Sequence, residues 1–309
     1  MNSRQLEAFQ AVMSAGSMSE AARVLEISQP AVSRLIKDLE ATLGFKLFLR
    51  QANRLFPTPG ANRFNEEVQR HFIGLHRLNR TAEEIRNMKS DAFRLAAFPA
   101  LADSLLANIL NRYLRGQSDL SVSLASLASA EIAGQVAGQQ YDLGIVALPL
   151  LGDDLQYAAC FRSDCRLIAP PGHHFAGQAR VSAAELDREP FISAGQPHDI
   201  SRHRLEQALK DQLARPERRL DCNQSQSAAR LVGEGLGVAV VDPFTALHAE
   251  QQGLVNKPFD PSIPFYFGFI TPLGRSLSPQ VEQFIDHFEA QLMRQIPLQP
   301  VESSQINHR

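Results

Sequence analysis

Within the first 58 residues, helix-spaced apolar positions come in three short sets, separated at Gly16-Ser17 and at Ser28-Gln29-Pro30 and closed at Gly44. Helices this short are marginal alone, so the three must be held by packing on one another. Leu6, Phe9, Val12 and Met13 predict a first amphipathic helix over Ser3–Ala15. Ser19 is the expected cap of a second, whose Ala21, Ala22 and Leu25 permit close approach and which ends near Ile27. Ser28 as cap and Pro30 in the first turn predict a third, with a stripe of Val32, Leu35, Ile36, Leu39 and Leu43. Beyond Gly44, Phe45–Arg50 and Arg54–Thr58 are two short apolar runs about a polar turn, the pattern of a hairpin wing.

The third helix leaves Gln29, Ser33, Arg34 and Lys37 on its other face, towards its N-terminal end. A DNA major groove admits one helix, whose exposed side chains must offer donors and acceptors to base edges and phosphates, as these four do. Taken alone the face also reads as an ordinary solvated surface; the order helix, helix, helix, hairpin favours the first reading. Arg50 and Arg54, one on each strand, stand where phosphates or a minor groove lie beside such a helix. Charge is split in the same sense. Residues 1–90 carry 13 Lys/Arg against 9 Asp/Glu and residues 91–309 carry 18 against 24, so the net charge of −2 is +4 and −6. A basic head on an acidic body suits a protein that meets phosphates at one end only.

The run SMSEAARVLEISQPAVSRLIKDLEATLGFKLFLR from Ser17, leading into RLFPTPG ending at Gly60, resembles the head of the LysR-type transcriptional regulators. The resemblance implies a winged helix-turn-helix domain over residues 1–58, with the helix carrying Ser28–Arg34 in the major groove and the wing arginines on the backbone. It nominates Gln29, Ser33, Arg34, Lys37, Arg50 and Arg54 as DNA contacts, Pro30 as the shaper of the helix start, and Ser28 and Thr58 as phosphate contacts.

Residues 59–90 carry apolar side chains at every third or fourth position: Ala61, Phe64, Val68, Phe72, Leu75, Leu78, Ala82, Ile85 and Met88. One long linker helix is predicted, a charged rod of about 45 Å with a single narrow apolar seam. The seam packs either on its own domain or against the same helix of another copy. The resemblance implies the second, with Phe64, Val68, Phe72, Leu75, Leu78 and Ile85 as dimerisation residues of a homodimer or homotetramer. Two heads on one connector then suit an interrupted palindrome in double-stranded DNA.

From residue 91 to 296, strand and helix patterns alternate. Phe93–Phe98, Ser121–Leu127 and Leu143–Leu148 are strand candidates around helices at Asp103–Leu114 and Ala130–Gln139. Further strands are expected at Arg166–Ala169, Phe191–Ser193, Leu220–Cys222, Val238–Val241 and Pro264–Ile270, with helices at Ser201–Leu213, Ser225–Glu234, Phe244–Glu250 and Ser278–Met293. The order predicts a mainly parallel α/β sheet. The fold expected for the whole is therefore α/β with an all-α winged helix-turn-helix head. The family resemblance implies a two-lobed, periplasmic-binding-protein-like effector domain with crossovers near Cys160–Arg166 and Phe259–Tyr266. Lobe I is then about 91–162 and 266–296, lobe II about 163–265, and residues 297–309 a flexible tail.

Ligands of open sheets sit beyond C-terminal strand ends, against helix N-termini. That rule nominates Pro99, Ala100, Leu101, Ser126, Ser129 and Pro149 in the first lobe and Ser193, Asp199, Asn223, Ser225 and Asp242 in the second as effector-binding residues. Each also reads as helix-capping chemistry. The donor set suits a small carboxylate: an amino acid, an opine-like conjugate or an organic acid. Pro99-Ala100-Leu101 resembles the opine-regulator branch of the family.

Other constellations were weighed and set aside. Gly233-Glu234-Gly235-Leu236-Gly237 follows a helix and precedes a strand, the reverse of a dinucleotide loop. His173-His174 lies in a turn-rich stretch beside Pro170-Pro171-Gly172, and His198-Asp199 with His203 offers imidazoles five apart, off the i, i+4 spacing that places two metal ligands together. No nucleophile signature is present, so neither enzyme, cofactor nor metal is expected. Cys160, Cys165 and Cys222 are read as reduced packing residues. No apolar run is long enough for a bilayer and no export signal opens the chain, so a cytoplasmic location without a membrane partner is expected, with RNA polymerase as a further partner.

Overall fold

The first helix is fixed by a reciprocal cap before any tertiary packing. Asn2 Oδ1 accepts the Gln5 N–H at 3.0 Å and Gln5 Oε1 accepts the Asn2 N–H at 2.9 Å. In the computed structural model this helix is α1 (Ser3–Ala15), followed by α2 (Met18–Val24), α3 (Gln29–Leu43) and an antiparallel hairpin of β1 (Phe48–Gln51) and β2 (Arg54–Pro57). Described are residues 1–51, 54–65, 67–68, 71–72, 92–117, 120–150, 155–197, 199–274, 276–302 and 306. The chain divides into two units, Met1–Met88 and Lys89–Arg309.

Phe9, Val12, Ala21, Val32, Ile36, Leu39 and Leu47 form the core of the first unit. Two details depart from the sequence reading. Ser17, not Ser19, caps α2, its Oγ accepting the Glu20 N–H at 3.1 Å. That helix stops at Val24, short of Ile27, because the chain turns through a left-handed residue at Glu26, φ 54°. Residues 59–65 resume as helix, capped by Thr58 Oγ1, which accepts the Ala61 N–H at 3.1 Å.

The second unit holds two sheets. The first has the order β14 (Gln299–Pro300), β6 (Leu155–Asp164), β13 (Pro264–Pro272), β5 (Leu143–Leu148), β3 (Ala92–Ala97), β4 (Ser121–Ser126). Its β3, β4 and β5 are parallel, as expected, and β13 runs antiparallel to both β5 and β6. The second sheet has the order β11-β7-β12-β8, built from β7 (Arg166–Ala169), β8 (Val181–Ser182), β11 (Ala239–Val241) and β12 (Val255–Asp260). A parallel pair, β9 (Pro190–Ala194) and β10 (Glu217–Cys222), joins it through the bridge Phe191↔Val238.

Three expectations are corrected here. The helix expected over Asp103–Leu114 is two, α4 (Pro99–Ala102) and α5 (Leu106–Leu114), and Asp103 ends the first instead of starting the second; α6 (Ser129–Ala137) follows between β4 and β5. Where a crossover was expected near Cys160–Arg166, strand β6 continues to Asp164 in antiparallel pairing with β13, which narrows the crossover to Cys165. The tail is not free: β14 (Gln299–Pro300) pairs with Arg162 and Phe161, and the Val301 N–H donates to the Cys160 carbonyl at 3.0 Å. Seating the tail satisfies backbone groups on the outer edge of β6 and buries Ile306 in the lobe I core.

The two crossings between lobes are adjacent. Cys165 links β6 to β7 and residues 261–263 link β12 to β13, with the Cys165 N–H donating to the Ile263 carbonyl at 2.8 Å. Aromatic packing joins the lobes beside them: the Phe98 ring lies 5.7 Å from Phe244 and 6.0 Å from Phe265.

Candidate DNA-reading face and effector cleft

Helix α3 buries Val32, Ile36 and Leu39, which leaves Ser28, Gln29, Pro30, Arg34 and Lys37 exposed and Ser33 half-buried. Ser28 holds the N-cap backbone geometry, but its hydroxyl makes no bond to the helix, unlike the capping side chain expected of it. Arg23 pairs with Glu20 and Lys46 with Glu40, whereas Arg34 and Lys37 carry no ion pair among the described residues and are available to another anion. Thr58 is already engaged on both sides, donating its hydroxyl to the Lys46 carbonyl at 2.8 Å while capping the next helix. The backbone of Arg50 pairs with Leu55 and that of Arg54 with Gln51, on the two strands of the wing.

Glu40, which the sequence reading did not single out, ties this face to the wing. Only 8% exposed, it accepts the Leu47 N–H at 2.9 Å and the Phe48 N–H at 3.3 Å on Oε1, and the Lys46 ammonium at 2.7 Å on Oε2. Burial opposes its charge, but the Lys46 ammonium and the two backbone N–H groups prevail and hold the carboxyl below its ordinary range.

The linker positions divide. Val68 is 3% exposed within the head's own core, and the Phe64 ring packs 5.4 Å from Phe9. Both were expected on an intermolecular seam, and both are spent on this domain, because α1 lies within reach of the first turns of that helix. Phe72 also packs on the head core, half-buried. Leu75, Leu78 and Ile85 lie outside the described residues.

In the second unit a small cavity of about 50 Å³ opens where α7 (Ile200–Asp211), α8 (Ser225–Gly233) and α9 (Pro243–Gln251) begin. Asp199, Ser201, Arg202, Ser225 and Asp242 are its polar walls; Cys165, Ile263 and Phe265 from the crossings are its floor. Neither α7 nor α8 has a side-chain cap, so the first N–H groups and partial positive charge of each are left without one at helix ends whose residues line the cavity. Helix α9 is closed: Asp242 accepts the Phe244 N–H at 3.1 Å, the Thr245 N–H at 2.9 Å and the Thr245 hydroxyl at 2.8 Å. Burial raises the pKa of Asp242 despite these bonds and one from Ser225.

Arg202 is bidentate with Asp221 at 3.0 and 2.5 Å and donates to the Gly195 carbonyl at 2.7 Å. Asp199 Oδ2 accepts the Gln196 N–H at 2.6 Å, and Gly195, with φ 89°, leaves it room. A Cβ at Gly195 would stand 2.8 Å from that oxygen.

Of the nominated effector residues, Asp199, Ser225 and Asp242 line this cavity. Ser193 is buried in β9 and Asn223 is exposed, and neither is part of the lining. None of the lobe I set lines it. Leu101 is fully buried and Ala100 nearly so, because α4 turns into the lobe I core, and Ser129 Oγ accepts the Ala147 N–H at 2.9 Å. Ser126 and Pro149 are exposed. Phe98, one residue before the nominated Pro99, makes the contact with the second lobe. The glycines of Gly233–Gly237 turn the chain after α8; a Cβ at Gly237, φ 145°, would meet the Pro190 carbonyl at 2.4 Å.

Comparison with known proteins agrees with this architecture over nearly the whole chain. Residues 3–62 match the bacterial regulatory helix-turn-helix protein model of the lysR family, and residues 86–293 match the LysR substrate binding domain. The regulatory protein NocR of Agrobacterium fabrum is 34% identical over 98% of this chain and 99% of its own length. The octopine catabolism/uptake operon regulatory protein OccR of Rhizobium meliloti is 34% identical over 94% of this chain and 96% of its own. The transcriptional activator protein LysR of Escherichia coli is 32% identical over 94% of each. Among solved structures, the LysR family transcriptional regulator CbnR superposes with a TM-score of 0.67 over 94% of this chain and 99% of its own, at 18% identity, a likeness of fold.

Proposed function

The chain belongs to the LysR family of DNA-binding transcriptional regulators with an effector-binding domain, and from that premise we propose that α3 reads its operator and that the α7–α8 cleft takes a small carboxylate. It is a regulator and not an enzyme. Among the described residues no helix is long and apolar enough to cross a membrane.

On the DNA side, Gln29, Ser33, Arg34 and Lys37 read the major groove, Pro30 sets the helix start, and Ser28, Arg50 and Arg54 meet phosphates. Thr58 holds the wing to the linker helix and contacts phosphate only through the backbone around it. Arg34→Ala should weaken operator binding by about 1–3 kcal/mol with selectivity reduced at one base pair. Gel retardation across a salt series checks this; unchanged affinity and selectivity would remove α3 as the reading helix. The protein works as a homodimer or homotetramer on an interrupted palindrome, in the cytoplasm, with RNA polymerase as its further partner. Because Phe64, Val68 and Phe72 pack on the head, pairing falls to the seam from Leu75 to Ile85.

The observation that carries the effector reading is the pair of uncapped helix N-termini at one cleft, flanked by the Ser201 and Ser225 side chains. Such a site favours a carboxylate through oriented N–H groups. Arg202 is neutralised by Asp221, so the helix ends, not a free guanidinium, supply the attraction. Asp199 gives the same cleft an acceptor for an ammonium or guanidinium group, which narrows the class to amino acids and their opine conjugates; the name of the OccR relative points to the same class. Binding sets the angle between the lobes and thereby the operator affinity of the oligomer. A thermal-shift series of amino acids, opines and simple organic acids tests this. Stabilisation by an amino acid or opine, without its consumption and with altered gel retardation, is expected. Equal stabilisation by plain dicarboxylates would exclude the ammonium acceptor.

A further inference from the structure

At the end of lobe II remote from the cleft, two adjacent histidines meet a glutamate fifteen positions further along the chain. His173 and His174 follow β7, whose other end leads back to Cys165 in the cavity, and Glu189 precedes β9, whose other end is Ala194 at the cavity wall. His173 Nε2 lies 3.6 Å from one Glu189 carboxylate oxygen and His174 Nε2 lies 3.5 Å from the other. One ligand atom from each residue falls within 4.8 Å of the others. Four-coordinate zinc with bonds of about 2.0–2.1 Å spaces its ligand atoms about 3.3 Å apart, so side-chain adjustments that close at most about 1.5 Å complete the set.

The three groups are seated on fixed structure. The imidazoles lie 4.3 Å apart, and both rest on the fully buried Phe175 ring at 4.6 and 4.2 Å. Glu189 is held by its backbone, its N–H donating to the Leu186 carbonyl at 3.1 Å and its carbonyl accepting the Glu217 N–H at 2.8 Å. His173 and Glu189 are 18% and 19% exposed and His174 is 59% exposed, so an ion has a route in from solvent.

We propose that His173, His174 and Glu189 form a binding site for a borderline divalent transition-metal ion such as Zn²⁺, with solvent completing the coordination. Two imidazole nitrogens and one carboxylate are a ligand set suited to that class and poor for Mg²⁺ or Ca²⁺, which prefer all-oxygen shells. Burial, and then the neighbouring His174, lower the pKa of His173, so the ring is neutral and available at physiological pH. Ligation at Nε2 places the ring proton on Nδ1, which in the metal-free protein receives the Phe175 N–H over a long 3.4 Å. Loading therefore exchanges that weak contact for a metal bond, and the ring turns slightly on Phe175. The site stands apart from the effector cleft and does not depend on which ligand the cleft takes.

The test uses the full chain, stripped with a chelator and titrated with Zn²⁺ alone at neutral pH against a chromophoric competitor. Wild type should hold one ion per chain. His174→Ala and Glu189→Gln should each weaken that binding by at least about tenfold, since loss of an outer-shell partner alone costs 10–100-fold. Zn²⁺ should raise the melting temperature of wild type more than that of either variant. Equal stoichiometry and affinity in all three proteins, or no ion retained by wild type, would overturn the proposal. His174→Ala changes a side chain open to solvent, so it decides the matter even where Glu189→Gln melts early.

Discussion

Glu40→Ala removes the acceptor that two N–H groups of the wing share with α3, and its effect can be worked from the distances. The Leu47 bond, at 2.9 Å to an ionised acceptor, serves a residue with no exposure, so its loss strands a buried donor. A hydrogen bond to a charged group contributes about 1.5–3 kcal/mol, and the weaker Phe48 bond at 3.3 Å about 0.5–1 kcal/mol. The Lys46 pair adds under about 1 kcal/mol, because the lysine side chain is 70% exposed. The expected destabilisation of the head is about 2–5 kcal/mol. Glu40→Gln keeps a carbonyl acceptor for the same N–H groups and should cost about 1 kcal/mol. The four tyrosines, at 113, 141, 157 and 266, all lie in the second unit and the chain has no tryptophan, so intrinsic fluorescence is blind to this change. Amide exchange at Leu47 and Phe48, with gel retardation on operator DNA, reports it. Since the folded carboxyl titrates below the unfolded value of about 4.3, its contribution is complete above that pH and disappears as pH falls through the folded pKa. The gap between wild type and Glu40→Gln should therefore close on acidification. Unaltered exchange at both amides in Glu40→Ala, with operator affinity intact, would refute the role given to this residue.

Further outcomes follow from the second unit. Gly195→Ala meets both a left-handed backbone and the Asp199 carboxylate, and should destabilise by about 1–2 kcal/mol while abolishing effector-induced stabilisation; differential scanning calorimetry with and without ligand checks it. Burial pushes the Cys165 thiol well above the ordinary range and Cys160 up to about 11, so at pH 8 a thiol reagent should titrate at most Cys222 in the native chain and all three thiols after unfolding. Rapid reaction of Cys165 in the native state would contradict its burial and reopen a redox role.

The helices of the head were legible because short-range rules decide them: α1 ends where Gly16 follows Ala15, and α3 starts just after Ser28. The misplaced cap of α2 was also a local signal, since Ser17 and Glu20 are spaced as a capping pair. Glu40 was half legible. Its position four residues after Ile36 puts it beside the buried stripe, but its partners, the N–H groups of Leu47 and Phe48, lie at the start of the wing, whose place is set by tertiary packing. The effector rim shows the same boundary. Sequence order finds where helices begin, as at Ser225 and Asp242, but which beginnings face a common cleft depends on how strands cross between lobes. Thus Leu101 was nominated and Phe265 was not. Glu189 lies fifteen positions beyond His174 with no periodicity to join them, and the two residues of β14 are too few to carry a pattern.

The neighbouring crossings at Cys165 and Ile263 leave the lobes a narrow vocabulary of motion. Two covalent threads a hydrogen bond apart resist sliding, because the Cys165–Ile263 bond and the Phe98–Phe244–Phe265 packing beside it fix the register, yet they allow rotation about the line through both. A body joined in this way has one main freedom, an angle. On the function proposed above the ligand sets that angle, and ligands of different shape that set the same angle are synonyms.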